Sequence, residues 1–190
     1  GTKFDDETGH KVTVFEDDEA TFTVKLNTEP TGDVVLTFVS SNDGEATVSP
    51  TELTFTADNW NNPDDAATDA HTVTVTGVDD NVVDGNTTNA TITFKVKADS
   101  ASEYVALTPE GTVGVTVEDV NAVGYTLSGT NYDADTGQVT VTEGSTTTFS
   151  VKLNTEPTDD VVLTFESDDP GEATVSADLE LTFTADNWNN

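Results

Sequence analysis

A stretch of nine residues occurs twice in this chain: Phe22 to Pro30 reads FTVKLNTEP, and Phe149 to Pro157, 127 positions on, reads FSVKLNTEP. A second stretch, LTFTADNWNN from Leu53 to Asn62, returns 128 positions later as Leu181 to Asn190. Solenoid repeats run about 20 to 50 residues, so a period this long means whole domains in tandem. The expected division is a first domain over residues 1–121 and a second over 122–190, which holds only the N-terminal half of the pattern because it has no counterpart of His71 to Asp119. Half a sandwich leaves sheet edges and a core face uncovered. The parent protein is therefore expected to continue, and something else to complete the second half.

Local patterning is that of strands. Phe22, Val24 and Leu26 alternate with Thr21, Thr23 and Lys25, and the same period of two recurs at Ile92, Phe94, Val96 and at Val113, Val115, Val117. With Val12 and Val14, Val34 to Phe38, Leu53 and Phe55, and Val73 and Val75, about seven strands fall within one repeat. Glu29-Pro30-Thr31-Gly32-Asp33 and Asp84-Gly85-Asn86 supply turns between them. Helical periodicity and helix caps are not convincing anywhere. The fold class expected is all-β: an Ig-like Greek-key β-sandwich of about seven strands, repeated with a period of 127–128.

Charge narrows the partners. The chain has 37 acidic residues against 6 basic ones, all lysines, for a formal net charge of −31. Nucleic acid and anionic membranes both require a positive footprint and are excluded. No apolar run approaches the roughly 20 residues that cross a bilayer, and no leader is present, so targeting information is expected outside this stretch. Cysteine is absent; small secreted folds often use disulfides, but large repeat proteins can be stabilised by metals instead. Self-repulsion on this scale calls for bound cations or salt screening.

Strand parity says where the acids go. In a sandwich whose successive strands reverse direction, the loops after the first, third, fifth and seventh strands gather at one end. Those loops carry Glu16-Asp17-Asp18-Glu19, then Asn42-Asp43-Gly44-Glu45, then Asp79-Asp80-Asn81 with Asp84, and finally Glu118-Asp119 with Asn121. Carboxylates crowded together must protonate or bind cations, and calcium takes six to eight such oxygens. The bland alternative is a solvated, salt-adapted acidic surface. The second repeat keeps Glu143 at the place of Glu16 but has Gly144, Ser145 and Thr146 where the first has Asp17, Asp18 and Glu19. The candidate metal ligands are therefore Glu16, Asp43, Asp79, Asp80, Asp84, Glu118, Asp119, Asn121 and Glu143, with calcium as the cofactor.

Val14-Phe15-Glu16 leading into Phe22-Thr23-Val24-Lys25-Leu26, then Leu53-Thr54-Phe55-Thr56 with Asn59-Trp60, and Val73-Thr74-Val75 with Val78-Asp79-Asp80, together resemble Calx-beta-type repeats, especially those of large RTX-type bacterial surface adhesins. The resemblance covers nearly all of the first copy and the available part of the second. It implies an Ig-like sandwich with calcium at one end and at the junction to the next domain, on residues matching Glu16, Asp79, Asp80 and the stretch Glu118-Asp119-Val120-Asn121. That stretch is less densely acidic than is usual in the family, which implies fewer or weaker ions, and Pro63 to Ala70 lengthens a loop that is usually short.

Other motifs carry less. Phe4-Asp5-Asp6-Glu7-Thr8-Gly9 recurs as Tyr132-Asp133-Ala134-Asp135-Thr136-Gly137, open to reading as a cation loop or as an ordinary turn. Trp60 and Trp188 sit in identical contexts and read first as anchors, second as a sugar-stacking platform. The sequons at Asn86 and Asn89 matter only in a host that glycosylates. His10 and His71 have no metal-ligand spacing, no nucleophile setting is recognisable, and paired carboxylates at loop ends without a cleft are poor glycosidase candidates, so no enzymatic activity is expected. The function expected is a structural extender, or stalk, of a secreted cell-surface adhesin, located outside the cell, involved in adhesion and biofilm formation, and stiffened by calcium. Its partners would be neighbouring repeats of the same chain and, in one alternative, other copies of itself in a surface layer or filament. A glycan- or surface-binding module is the other alternative.

Overall fold

Thr and Val at alternating positions favour the pleated, half-buried surface of a sheet, and the computed structural model is all-β apart from one helical turn. It describes the chain except for residues 1, 2, 6–9, 62–70, 86, 107–110, 177 and 178, and except for the side chains of 3–5 and 87–89. The insertion Pro63 to Ala70, most of the Phe4 to Gly9 motif, Asn86 and the side chain of Asn89 therefore lie outside the described residues. Two compact units are present: Gly1–Asp80 with Asp84–Val120, and Asn81–Val83 with Asn121–Asn190.

The described residues of the first unit form β1 (Lys3–Asp5), β2 (Lys11–Phe15), β3 (Glu19–Thr23), β4 (Val34–Ser40), β5 (Ala46–Ser49), β6 (Glu52–Phe55), β7 (Thr72–Gly77), β8 (Thr87–Val96), the turn of helix α1 (Ser102–Val105) and β9 (Gly111–Glu118). One sheet has the order β1-β2-β9-β8-β4-β6 and the other β3-β7-β5. From β2 to β8 the chain changes sheet at every step, which is what makes this a sandwich rather than a meander. Val12, Val14, Val34, Phe38, Phe55, Val73, Val75, Ile92, Val113, Val115 and Val117 are buried in a single core fed by both sheets. Phe38 is its hub, with Phe22 edge-on at 6.4 Å and Phe94 at 5.9 Å. Tyr104 of α1 closes the core and bonds Thr28 through its hydroxyl.

Two strands exceed the expected seven. β1 is three residues long, and β5 buries only Ala46 fully, so neither presents a run of large apolar residues. Parity survives the addition. β2 runs parallel to β9, while β9 with β8 and β8 with β4 are antiparallel, so β2, β4 and β9 point the same way. A parallel bridge between Glu16 and Gly77 gives β7 that direction too. β5 is antiparallel to β7 and β6 antiparallel to β4, so both return from the same end. They act as one strand that crosses between sheets at the cis Ser49–Pro50 bond.

The described residues of the second unit form three two-stranded sheets: β10 (Tyr125–Ser128) with β13 (Ser150–Leu153), β11 (Tyr132–Asp133) with β12 (Gln138–Val139), and β14 (Val161–Thr164) with β15 (Glu180–Phe183). Val151, Leu153 and Phe183 are buried, and Leu127, Val161, Leu163, Phe165, Leu181 and Trp188 pack partly against them. The duplicated sequence makes the same local structure in each unit. Leu26 N donates to Trp60 O and Leu153 N to Trp188 O, both at 2.8 Å. Asn59 Oδ1 accepts from Thr56 N at 2.6 Å and Asn187 Oδ1 from Thr184 N at 2.7 Å. Trp60 and Trp188 are half-buried anchors on their cores.

Candidate metal centre

The four strands that share a direction deliver four acidic loops to one end of the first unit. After β2 the chain turns sharply: Asp18 N donates to Phe15 O, and Asp17 takes a positive φ of 57°. This turn lies against β7, with Asp17 N donating to Gly77 O and Gly77 N to Asp18 O. The approach requires glycine at 77, because a Cβ there would collide with the Phe15 carbonyl. Glu16 N donates to Glu118 O, and the Glu16 carboxylate accepts Val120 N at 3.1 Å, fastening the end of β2 to the end of β9. Asp119 Oδ2 accepts from Asp84 N at 3.1 Å and from Gly85 N at 2.8 Å, which ties the loop after β7 to the same place.

Two groups of carboxylates result. Glu16, Asp79 and Asp80 each present an oxygen such that all three lie within 4.8 Å of one another, and Glu45, Asp80 and Asp84 do the same. Asp80 belongs to both, so the groups are one continuous site. Glu16 is buried, Asp79 and Glu45 are half-buried, and Asp80 and Asp84 are exposed. Burial pushes the Glu16 carboxyl above its ordinary value of 4.5; the Val120 N–H opposes the rise, and Asp119, Asp79 and Asp80 add to it. Asp84 is raised above 3.8 by loss of solvent and by Asp80, Glu45 and Asp119. Crowded carboxylates that hold protons too tightly also attract a cation, and a donor set made only of oxygen suits a hard divalent ion.

Among the predicted ligands, Glu16, Asp79, Asp80 and Asp84 sit in these groups, and Asp119 acts on both Glu16 and Asp84. Asp43 is exposed and belongs to neither group. Glu118 contributes its backbone carbonyl to Glu16 N, and its side chain is not a member. Asn121 and Glu143 lie in the second unit and in neither group. Glu45 is the member that sequence reasoning passed over in favour of Asp43. Two signals point to it. The repeat has Glu172 at its place but Pro170 at the place of Asp43, and Ala46 pairs with Gly77, so Glu45 O accepts Val78 N one residue from Asp79.

The Asp133 motif resolves as a turn. Its carboxylate accepts Asp135 N at 2.9 Å and Thr136 N at 3.3 Å, which holds the carboxyl below its ordinary value, and Gly137 closes the turn with a φ of 71°.

Fold and site together define an all-β chain with an internal sequence repeat and a cluster of carboxylates at one end of the first unit's sandwich. No family model matches the chain, and no curated protein does either. Among solved structures it is similar to domains 4 and 5 of the S-layer protein SbsC, with 23% identity over 62% of this chain and 51% of that one and a TM-score of 0.32. It is also similar to SbsC domains 4–9, with 18% identity over 96% of this chain and a TM-score of 0.32. The chain spans about half of the former and 27% of the latter.

Proposed function

We propose that this chain is a structural extender of a secreted, cell-surface adhesin-like protein, and that the carboxylate cluster of its first repeat binds calcium and stiffens the end of the sandwich. In this reading the chain does no chemistry of its own. The observation that carries the reading is the meeting of Glu16, Glu45, Asp79, Asp80, Asp84 and Asp119, drawn from four separate loops, at one end of the fold. An ion held there would neutralise like charges that otherwise repel across an effective dielectric lower than that of water, and would fix four loops at once. Asp119 is followed within two residues by the start of the second unit, so a cation at this end would also restrain the linker as it leaves the first repeat.

Thermal unfolding of the chain with calcium from zero to about 10 mM, the range of extracellular modules, tests the proposal. If calcium binds only the folded state, a concentration 100-fold above Kd stabilises by about 2.7 kcal/mol. Magnesium, which sheds its water reluctantly, does much less. Asp80→Asn, which touches both groups, is expected to abolish most of the calcium-induced shift while leaving the calcium-free protein folded. A midpoint that follows ionic strength alone, with sodium as effective as calcium, refutes the proposal.

A further inference from the structure

The loop after β7 contains Asp84-Gly85, one of two Asp-Gly pairs in the chain; the other, Asp43-Gly44, lies in the loop before β5. An aspartate followed by glycine is open to rearrangement of its own main chain, because the glycine nitrogen, with no Cβ beside it, can close on the aspartate Cγ. The two pairs share this chemistry and differ in what the fold does to them.

Asp84 is exposed and Gly85 has a φ of 79°. Among the described residues, nothing beyond its chain neighbours comes within 4 Å of the place a Gly85 Cβ would take. Gly85 N donates to Asp119 Oδ2 at 2.8 Å, so the proton that must leave for this nitrogen to attack already points at a carboxylate. Asp84 N donates to the same oxygen at 3.1 Å, which holds the pair against that acceptor. Asp43-Gly44 has neither feature. Gly44 N donates at 3.2 Å to Asn42 Oδ1, an amide oxygen that is too weak a base to take a proton. Glu45 N and Ala46 N both donate to Asn42 O, which closes a tight turn around the pair, and a Cβ on Gly44 would meet Asn42 Oδ1 at 3.3 Å.

From this we infer that Asp84-Gly85 is a self-modification site, at which the aspartyl link converts to an isoaspartyl link with Asp119 as the base. Gly85 N attacks Asp84 Cγ, its proton passes to Asp119, and the carboxyl hydroxyl leaves with that proton as water, closing a cyclic imide. Water then opens the imide. Opening at Cγ restores aspartate, whereas opening at the former Asp84 backbone carbonyl leaves a main chain that runs through Cβ and Cγ, with the α-carboxylate as the side group. Water lost in the first step is regained in the second, and no oxidant or other reactant enters. The methylene added to the main chain moves the residue-84 carboxylate away from Glu45 and Asp80, with which it shares a group. This chemistry proceeds without a bound cation, so it stands or falls separately from calcium binding.

The test holds the full chain for weeks at neutral pH with a chelator, folded in one sample and unfolded in guanidinium chloride in another. Isoaspartate is then located by fragmentation mass spectrometry after digestion with a protease that cleaves before aspartate and not before isoaspartate. Unfolded, the two Asp-Gly pairs should isomerise at similar rates. Folded, Asp84 is expected to isomerise at least about tenfold faster than Asp43, a conservative share of what a positioned base contributes. Asp119→Asn should remove most of that excess and leave Asp43 unchanged. If circular dichroism shows that variant to be unfolded, the ratio of the two sites in the unaltered chain decides alone. A folded ratio no larger than the unfolded one overturns the inference, as does a folded Asp119→Asn variant that isomerises at Asp84 as fast as the parent.

Discussion

Glu16 shows how one side chain can serve structure and site together. Its carboxylate is buried, accepts Val120 N, and faces Asp79, Asp80 and Asp119. A carboxyl whose folded pKa is raised binds more protons in the folded than in the unfolded state between its ordinary 4.5 and its raised value, so without metal its contribution to stability grows as pH falls through that raised value. Asp84 acts in the same direction from 3.8 upward. Bound calcium reverses the sign, because the ion requires both groups ionised and is lost as they protonate. Urea unfolding across a pH series is therefore expected to give separate calcium-loaded and calcium-free stability curves at neutral pH that converge on the acid side. Glu16→Gln keeps an acceptor for Val120 N and removes the charge. It should make the calcium-free protein more stable at neutral pH, flatten its pH dependence, and weaken calcium binding. If the variant is instead less stable without calcium, the Glu16 charge is already compensated within the fold.

At the scale of elements, the site depends on how closely the turn after β2 lies against the end of β7. Gly77 permits that approach, and Gly77→Ala would force a methyl group into the Phe15 carbonyl. Overpacking a rigid contact costs roughly 1–3 kcal/mol, and here it would also move Asp79 and Asp80 away from Glu16. The expected result is a lower midpoint together with a calcium response weakened beyond what the stability loss explains, read from calcium titrations at a temperature where the variant is fully folded. Much of this arrangement was legible in the sequence. Alternation at Val12–Val14, Val73–Val75 and Val113–Val117 placed strands, and their parity brought Glu16, Asp79 and Asp119 to one end. β1 and β5 were not legible, because three residues, or four with one small buried side chain, leave no periodic signature. Choosing Asp43 over Glu45 has the same origin. Without β5 there was no register to show that Glu45, and not the residue two positions earlier, is held beside Val78.

For the molecule as a whole, the two units are unequal in what they bury. The first draws its core from two sheets, with Phe38, Phe55, Ile92 and six valines fully enclosed. Among the described hydrophobic residues of the second, only Val151, Leu153 and Phe183 are buried, and Val139, Val141, Val162 and Tyr125 are substantially exposed. Burying a large aliphatic or aromatic side chain contributes about 1.5–3 kcal/mol, so the difference in enclosed residues outweighs any difference in surface ion pairs, which are worth about 0–1 kcal/mol each. The same truncation should therefore register very differently in the two repeats. Phe38→Ala is expected to cost about 3–5 kcal/mol, the usual range for a fully packed ring, and to unfold the first unit at moderate temperature. Phe165→Ala, at the matching position but only half-buried, should cost the second unit clearly less. In the unaltered chain this inequality predicts two unfolding steps by calorimetry, with the smaller, earlier one belonging to the second unit. Calcium should move only the later step, since both carboxylate groups belong to the first unit. Limited proteolysis provides the assignment: cleavage should begin between 121 and 190 and leave a resistant fragment that retains the calcium-sensitive transition. A single calcium-sensitive step covering both units would mean instead that they fold as one cooperative body, with stability shared across the repeat boundary.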